Sequence, residues 1–347
     1  MPPATAPLAG EKRLTTNTLT LPLRRPFGIA RGVRTAQPLL RVEVRLNGHT
    51  GRGETPGVSY EGETPETLAA LMDEHRDAIA ACPSREALLD ILPAGGARAA
   101  VDSAFWDLEA KLTGRPVWQL IGRAAAPQPV LTAFTISLDT PDAMAAQTRD
   151  EANRPLLKVK LGGRDGLDID RARAVRNNAP TARLVADGNG GFTPDTVHDT
   201  ALALKELGYE LFEQPLLPKE DAVFDDYTPP LPLCADESLA TLDDLPQVAQ
   251  RYQIGNIKLD KCGGLTHGLK LYKALREKEM GVFIGTMLAG ALSTAPALLL
   301  GQDADYVDLD GPLWVIDEAA PDLTGEEGHL SPAPSHFWGG AGPADNG

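Results

Sequence analysis

Hydrophobic and polar positions change rhythm once along the chain, near residue 124. Before it, residues 13–54 carry strand text: residues 39–46 (LLRVEVRL) alternate apolar and polar, and Asn47-Gly48 then offers a hairpin turn. Residues 26–37 read as a loop holding Arg31 and Arg34, and residues 51–62 as a second, glycine-rich loop. Helical patterns follow over residues 64–81 and 85–92. Residues 97–112 place Val101, Ala104, Phe105, Leu108 and Leu112 along one side of a long amphipathic helix. Antiparallel strands followed by a run of helices predict an α+β domain over residues 1–124.

Beyond it, short apolar strands alternate with helical stretches. The strands fall at residues 131–138, 156–161, 183–189, 211–216, 231–238, 256–261, 282–287 and 306–310. Eight such strands read as a TIM-like (β/α)7β barrel over residues 125–317, with a doubly wound open sheet as the alternative. No GxGxxG or Walker sequence follows any of them, so phosphate-loop chemistry lacks support. The Pro/Gly-rich residues 318–347 are expected to return to the first domain and complete it as a cap.

One strand interrupts its apolar run with two lysines, Lys158 and Lys160 in LLKVKL, which leave on the same face. If that face is interior, burial and mutual repulsion push both pKa values down, towards a range where a lysine can take a proton. The competing reading is a strand end whose lysines snorkel to solvent.

A barrel presents its chemistry at the C-terminal ends of its strands. Reading those ends in order gives Lys158 and Lys160, then Asp187, Glu213 and Asp236 on three consecutive strands, then Lys258, then Asp308 and Asp310. Three converging carboxylates repel unless a hard cation neutralises them, and an all-oxygen shell suits Mg²⁺. Lys160 and Lys258 would then face one another across the mouth. Two amines flanking a Lewis acid suit proton abstraction beside a carboxylate.

The net charge of −15 argues against nucleic acid or an anionic membrane surface as partner. No apolar run is long enough to span a bilayer, and residues 1–10 lack the basic start and apolar core of a signal peptide. Cys82, Cys234 and Cys262 are scattered, which fits a reducing, cytoplasmic setting.

In order and spacing, several motifs together resemble the enolase superfamily, in its muconate-lactonizing subgroup and most like the dipeptide epimerases. They are GRGE (residues 51–54), AVDSAFWDLEAKLTGRPVWQLIG (100–122), KVKLG (158–162), DGN (187–189), EQP (213–215), ADES (235–238), NIKLDKCGG (256–264) and DLDGP (308–312). The resemblance implies an isomerase in which Lys160 and Lys258 act as opposed acid/bases and Lys158 tunes Lys160. It implies that Asp187, Glu213 and Asp236 bind Mg²⁺, and that Asp308 and Asp310 meet the α-ammonium of a dipeptide substrate. Two carboxylates on one strand face suit such a cation. Thr135 corresponds to a substrate-contacting threonine, and Arg31 or Arg34 to an arginine for a distal carboxylate. Asn189, Glu237 and Lys261 sit beside the ligands as a supporting layer. Ala289 departs from the glutamate of many relatives and leaves the seventh-strand contacts open. No histidine falls at the seventh strand end, which disfavours a His-Asp base as in the mandelate racemase subgroup. An N-acylamino acid racemase and a muconate cycloisomerase or o-succinylbenzoate synthase are the alternatives. Assembly into a homo-oligomer is left open.

Overall fold

The structure, a computed structural model, describes residues 7–30 and 32–342. The alternation over residues 39–46 builds the middle of a three-stranded antiparallel sheet: β1 (Arg13–Ile29), β2 (Gly32–Leu46) and β3 (His49–Thr55). Asn47 and Gly48 turn the β2–β3 hairpin with φ of 51° and 77°. Leu40, Val42, Val44 and Leu46 are buried in one core with Val101, Ala104, Phe105 and Leu108. Those residues belong to the last of four helices, α1 (Pro65–Glu74), α2 (Arg76–Ala81), α3 (Arg85–Ile91) and α4 (Gly96–Thr113). Strand β3 lies directly on α4. A Cβ on Gly51 or Gly53 would stand 2.0 Å from the carbonyl oxygen of Ala104 or Ala100, so only glycine permits this approach.

Residues 26–29 and 32–37, expected within a loop over 26–37, instead continue the β1–β2 hairpin, with pairing displaced between Pro22 and Phe27. The bulge swings β1 onto the barrel. Leu23 bridges Val315, and the Arg25 guanidinium lies 5.0 Å from the Phe134 ring and 4.8 Å from the Trp314 ring while pairing with Glu151 at 2.7 Å. Prolines and charges that read as a loop are tolerated because this arm stands outside the cap's own core.

After α5 (Val117–Leu120) and β4 (Val130–Leu131) comes the barrel. Its strands are β5 (Phe134–Ile136), β6 (Leu156–Lys160), β7 (Arg183–Asp187), β8 (Tyr209–Glu213), β9 (Leu233–Ala235), β10 (Ile254–Lys258), β11 (Gly281–Gly285) and β12 (Tyr306–Asp308). They form one parallel sheet in chain order, and the Ala133 N–H donates to the Val307 carbonyl at 2.7 Å to bring its two ends together. The sheet is therefore a nearly closed barrel. Its outer layer is α6 (Pro141–Asp150), α7 (Asp168–Asn178), α8 (Val197–Glu206), α9 (Leu245–Arg251), α10 (Leu259–Cys262), α11 (Leu265–Glu277), α12 (Ala291–Gly301) and α13 (Gly311–Trp314). Leu157, Val159, Leu184, Ala186, Phe212 and Ile284 pack outward on these helices, while Ala133, Leu156, Val185, Leu211, Cys234 and Phe283 fill the lower interior. The interior is thus closed below and open above. Among the described residues no helix is long and apolar enough to cross a membrane.

The cap is tied to the barrel by buried polar bonds along α4. Asp102 accepts from the N–H of Thr266 at 3.0 Å and from its hydroxyl, and Trp106 Nε1 donates to that hydroxyl at 3.1 Å. Arg98 donates to the carbonyl of Cys262 at 2.8 Å. The tail pairs β13 (His329–Leu330) with β4 and then reaches the cap, where Gly339 N–H donates to Asp107 at 2.8 Å and Trp338 Nε1 to the Ser103 carbonyl at 3.2 Å.

Burial pushes the Asp102 carboxyl from 3.8 up to about 6, against the bonds from Thr266. The folded state therefore binds this proton more tightly than the unfolded chain. Its contribution is fully present below pH 3.8 and is lost as pH rises through about 6. Over that interval wild-type stability should fall more steeply than that of Asp102→Asn, by on the order of 3 kcal/mol. Chemical denaturation at a series of pH values checks this; parallel curves would refute it.

Candidate active site

Strand register sets the site. Lys160 lies opposite Asp187, Asp187 opposite Glu213, and Glu213 opposite Cys234, with Asp236 two residues further on the same side. On the facing side Lys258 lies opposite Gly285, and Gly285 opposite Asp308. A Cβ on Gly285 would come within 3.1 Å of the Lys258 side chain, so this glycine leaves the lysine its path to the mouth. Strands β6 and β10 are four apart in an eight-stranded sheet, which places Lys160 and Lys258 across the barrel from each other.

All these charges are buried. Lys158 Nζ stands 2.8 Å from both Asp308 and Glu213 and 3.1 Å from Asp187. Lys160 Nζ donates to Asp187 at 2.6 Å, and Lys258 Nζ to Asp236 at 2.7 Å. Lys261 holds the other Asp236 oxygen at 2.6 Å and also bonds the Asn256 carbonyl at 3.2 Å. Asn256 Nδ2 donates to Glu213 at 2.8 Å. Asn189 donates its N–H to Asp187 at 2.9 Å and its amide to Glu237 at 3.4 Å.

The expected lowering is not what this network produces at Lys158. Burial lowers Lys158, but Asp187, Asp308 and Glu213 outweigh it and raise the group well above its ordinary value. Lys258 is likewise raised, Asp236 overcoming burial. The converse holds for Asp187 and Asp236, which burial would raise and the lysines hold low. Glu213 is pushed up, by burial first and by Asp187 next. The sequence argument weighed lysine against lysine; the carboxylates decide the sign.

Above the rim lies a cavity of about 330 Å³. Lys158, Lys160, Lys258, Thr135, Asn189, Asp308 and Asp310 form its floor. Thr286, Met287 and Leu288 form one wall, and Ile29, Val33, Arg34, Pro56, Gly57 and Tyr60 of the cap form its roof. The Arg34 guanidinium donates to Gln37 at 3.1 Å and Ser59 at 2.9 Å, both neutral acceptors. Arg31 lies outside the described residues. Asp308 and Asp310 do not share a strand face as expected. Asp308 ends β12, while Asp310 turns into the helical conformation that starts α13 (φ −76°, ψ 0°). Both still line the cavity. Asp310 accepts from the Thr135 N–H at 2.8 Å and from Trp314 Nε1 at 2.9 Å, whereas Asp308 Oδ1 is buried with no hydrogen-bond partner. Ala289 packs against Leu21, Leu23, Leu39 and Val315, away from the cavity.

As their side chains stand, no three His, Cys, Asp or Glu residues among the described ones converge tightly enough to hold a metal. The aspartates are turned onto lysines instead. The donor chemistry nevertheless fits a hard divalent cation. Asp187 and Glu213 are adjacent in register, Asp236 follows at the end of the next strand, and among the described residues Glu213 Oε2 accepts no hydrogen bond and pairs with the Lys158 ammonium.

An α+β cap over a barrel whose rim carries lysines and acidic side chains defines a capped β/α-barrel protein. Residues 13–122 match the mandelate racemase / muconate lactonizing enzyme N-terminal domain and residues 142–333 the enolase C-terminal domain-like family. The chain belongs to the enolase superfamily. It is 37% identical to the L-Ala-D/L-Glu epimerase of Escherichia coli K12 over 89% of this chain and 96% of that protein. It is 42% identical to an N-acetyl-D-glutamate racemase from a Pseudoalteromonas species, over 73% of this chain and 79% of the relative. A solved enolase-family structure from Agrobacterium tumefaciens, described as having homology to dipeptide epimerases and containing sodium and L-Ala-L-Glu, superposes with a TM-score of 0.91. It is 38% identical, and the match covers 94% of this chain and all of that one.

Sequence reasoning passed over Gln214. Its side-chain oxygen accepts from the N–H groups of Asp236 (2.9 Å) and Ser238 (3.1 Å), and its amide donates to Leu216, Ser238 and Tyr252. A buried glutamine between a strand-end acid and proline, with φ of 31°, is the signal that could have found it. Gln214→Leu leaves several buried groups unsatisfied around Asp236 and should cost about 3 kcal/mol of stability in urea unfolding. An unchanged midpoint would show that water replaces the amide.

Proposed function

We propose that the protein is a Mg²⁺-dependent epimerase of dipeptides with a C-terminal glutamate, of the L-Ala-D/L-Glu type. It would move a proton off and back onto the α-carbon of that residue. The observation that carries this reading is the pair of buried amines, Lys160 and Lys258, entering one cavity from opposite strands. An α-carbon held between them meets one amine on each face. Inversion needs one amine neutral to take the proton and the other charged to return it, and the roles exchange with the direction of reaction. Lys158, held charged by three carboxylates, keeps its proton and acts as a fixed positive charge beside Lys160. Asp187, Glu213 and Asp236 would hold the Mg²⁺, Lys261 fixing Asp236 and Asn189 fixing Asp187. Bound Mg²⁺ supplies the charge that replaces the lysines as partner of these carboxylates and that stabilises negative charge on the substrate carboxylate.

The two ends of the cavity support the substrate class. Asp308 has a free oxygen, with Asp310 beside it, and together they suit an α-ammonium. Thr135 serves that end by holding Asp310. Among the described residues Arg34 meets only neutral acceptors, so its charge is available to a distal carboxylate. Arg31 is proposed for the same role by its place in the chain, and Glu237 as a support for Asn189. By composition we assign the protein to the cytoplasm. The cap (1–124), barrel (125–317) and returning tail (318–347) are its proposed units.

A second reading, favoured by the 42% identical relative, is racemisation of N-acetylglutamate. Both substrates are N-acylated glutamates, and they differ in the ammonium that only the dipeptide carries. A muconate-type lyase reaction gives Asp308 no cation to meet.

Mass spectrometry of L-Ala-L-Glu incubated in D₂O with Mg²⁺ should show deuterium at the glutamate α-carbon, and chelation should abolish it. Lys160→Ala and Lys258→Ala should each stop epimerisation while leaving exchange of opposite epimers; the same epimer surviving in both would sink the two-face arrangement.

Asp308→Asn should raise KM for L-Ala-L-Glu about 10- to 100-fold, the loss of one charge-assisted contact, and leave N-acetylglutamate kinetics unaffected. Faster wild-type turnover of N-acetylglutamate than of the dipeptide would replace the first reading with the second.

A further inference from the structure

The last two residues of β3 each reach into the barrel mouth. Glu54 accepts the Gly290 N–H at 3.0 Å and pairs with Arg41 at 2.7 Å. Thr55 donates its hydroxyl to Asp260 Oδ1 at 2.6 Å, and the same hydroxyl accepts the Gly57 N–H at 3.0 Å. The N–H of Met287 lies near enough to hold the Asp260 carboxyl down against burial. Asp260 stands two residues after Lys258, inside the single turn α10 that ends β10. Both Thr55 and Asp260 are buried.

Asp260 has no cation at ion-pairing distance among the described residues, and burial lifts its carboxyl to about 6. A carboxylate in such a place is costly, and an apolar side chain would spare that cost. What the carboxylate supplies is a junction. Gly57 belongs to the roof of the cavity and Met287 to its wall, and the α10 turn carries the backbone that aims Lys258. Asp260 thus sits where all three meet, and its bond to Thr55, whose hydroxyl holds Gly57, is one a neutral methyl-bearing residue could not make.

We infer that Asp260 is a positioning residue for Lys258, fixing the turn behind the amine against Thr55 of the cap and the Met287 wall. The inference rests on the reading of Lys258 as the base for one face. The same turn carries Lys261, which bonds Asp236; a disturbance passed on through Asp236 reaches both faces, whereas one confined to Lys258 has a directional consequence. It slows proton exchange on one face of the α-carbon and spares the other, which Lys160 serves from β6 on the opposite side. A bond that merely holds cap to barrel loosens both faces alike.

The test measures deuterium entry from D₂O into each epimer of L-Ala-Glu, with Mg²⁺ present, alongside thermal melts. Lys258→Ala and Lys160→Ala first establish which epimer depends on which lysine. Thr55→Val deletes the hydroxyl at nearly constant volume. Asp260→Asn leaves one acceptor oxygen for two donors. Each should slow the Lys258-dependent exchange about tenfold, the scale of a small misplacement of a reacting group, and change the other by less than about twofold. The double variant should be no slower than Asp260→Asn alone, because both break one bond. Thr55→Ser, which keeps the donor, should restore the rate. Equal slowing on both faces, no slowing, or failure of serine to rescue overturns the inference. Should the two lysine variants fail to separate the epimers, the two-base reading itself fails and takes the inference with it.

Discussion

Burying carboxylates at the open end of a barrel creates a charge that something must answer, and the rest of the molecule is arranged around that requirement. Asp187, Glu213 and Asp236 are at most 1% exposed. Left alone they would be prohibitively costly in a medium of low polarity. Lys158, Lys160, Lys258 and Lys261 answer them at 2.6 to 3.1 Å. The exchange is reciprocal. Lysines hold Asp187 and Asp236 low, carboxylates hold Lys158 and Lys258 high, and Glu213, with less of this compensation, is pushed up. A site balanced this way is receptive to a cation, because any positive charge entering it frees an amine.

The cap matters for the same reason. Electrostatic interactions of this size persist only where water is scarce, and the cavity is roofed by the β1–β2 arm and by the loop after β3. Those roofs are not held alike. The loop after β3 is fixed through Thr55, Glu54 and the glycine contact of β3 with α4. The arm is held farther down, by Leu23 against Val315 and by Arg25 between aromatic rings.

Much of this was legible in the chain. The lysine pair, the three acids and the returning lysine could be placed on successive strand ends because a parallel barrel strand ends where its chemistry begins. Alternation over residues 39–46 marked the cap sheet for an equally local reason. What escaped was non-local. The hairpin arm over residues 26–37 looked like a loop, because its strand pairing is stabilised by partners in β5, α6 and α13 that no local pattern reveals. Gln214 and Asp260 were passed over since their partners lie 22 and 205 residues away. The sign of the lysine shifts was missed because two residues on one strand were weighed without the carboxylates of the neighbouring strands. Asp308 and Asp310 share a motif but not a strand face, as Asp310 has already turned into α13.

The asymmetry of that last pair bears on how one scaffold could serve substrates with and without an ammonium. Asp310 is engaged by Thr135 and Trp314, both through one oxygen. Asp308 bonds Lys158 through one oxygen and leaves the other free. An ammonium arriving there would meet an aspartate already in an ion pair with Lys158. The net attraction is therefore smaller than two unpaired aspartates would provide. Binding at this end is then a difference between two nearly balanced terms, the gain from the ammonium and the loss of its hydration. Modest changes around Trp314, Thr135 or Lys158 can tip such a balance without touching the lysines across the mouth. Proteins that share this floor could on that account differ in whether the acyl group must carry a charge, while the proton transfer at the α-carbon stays the same.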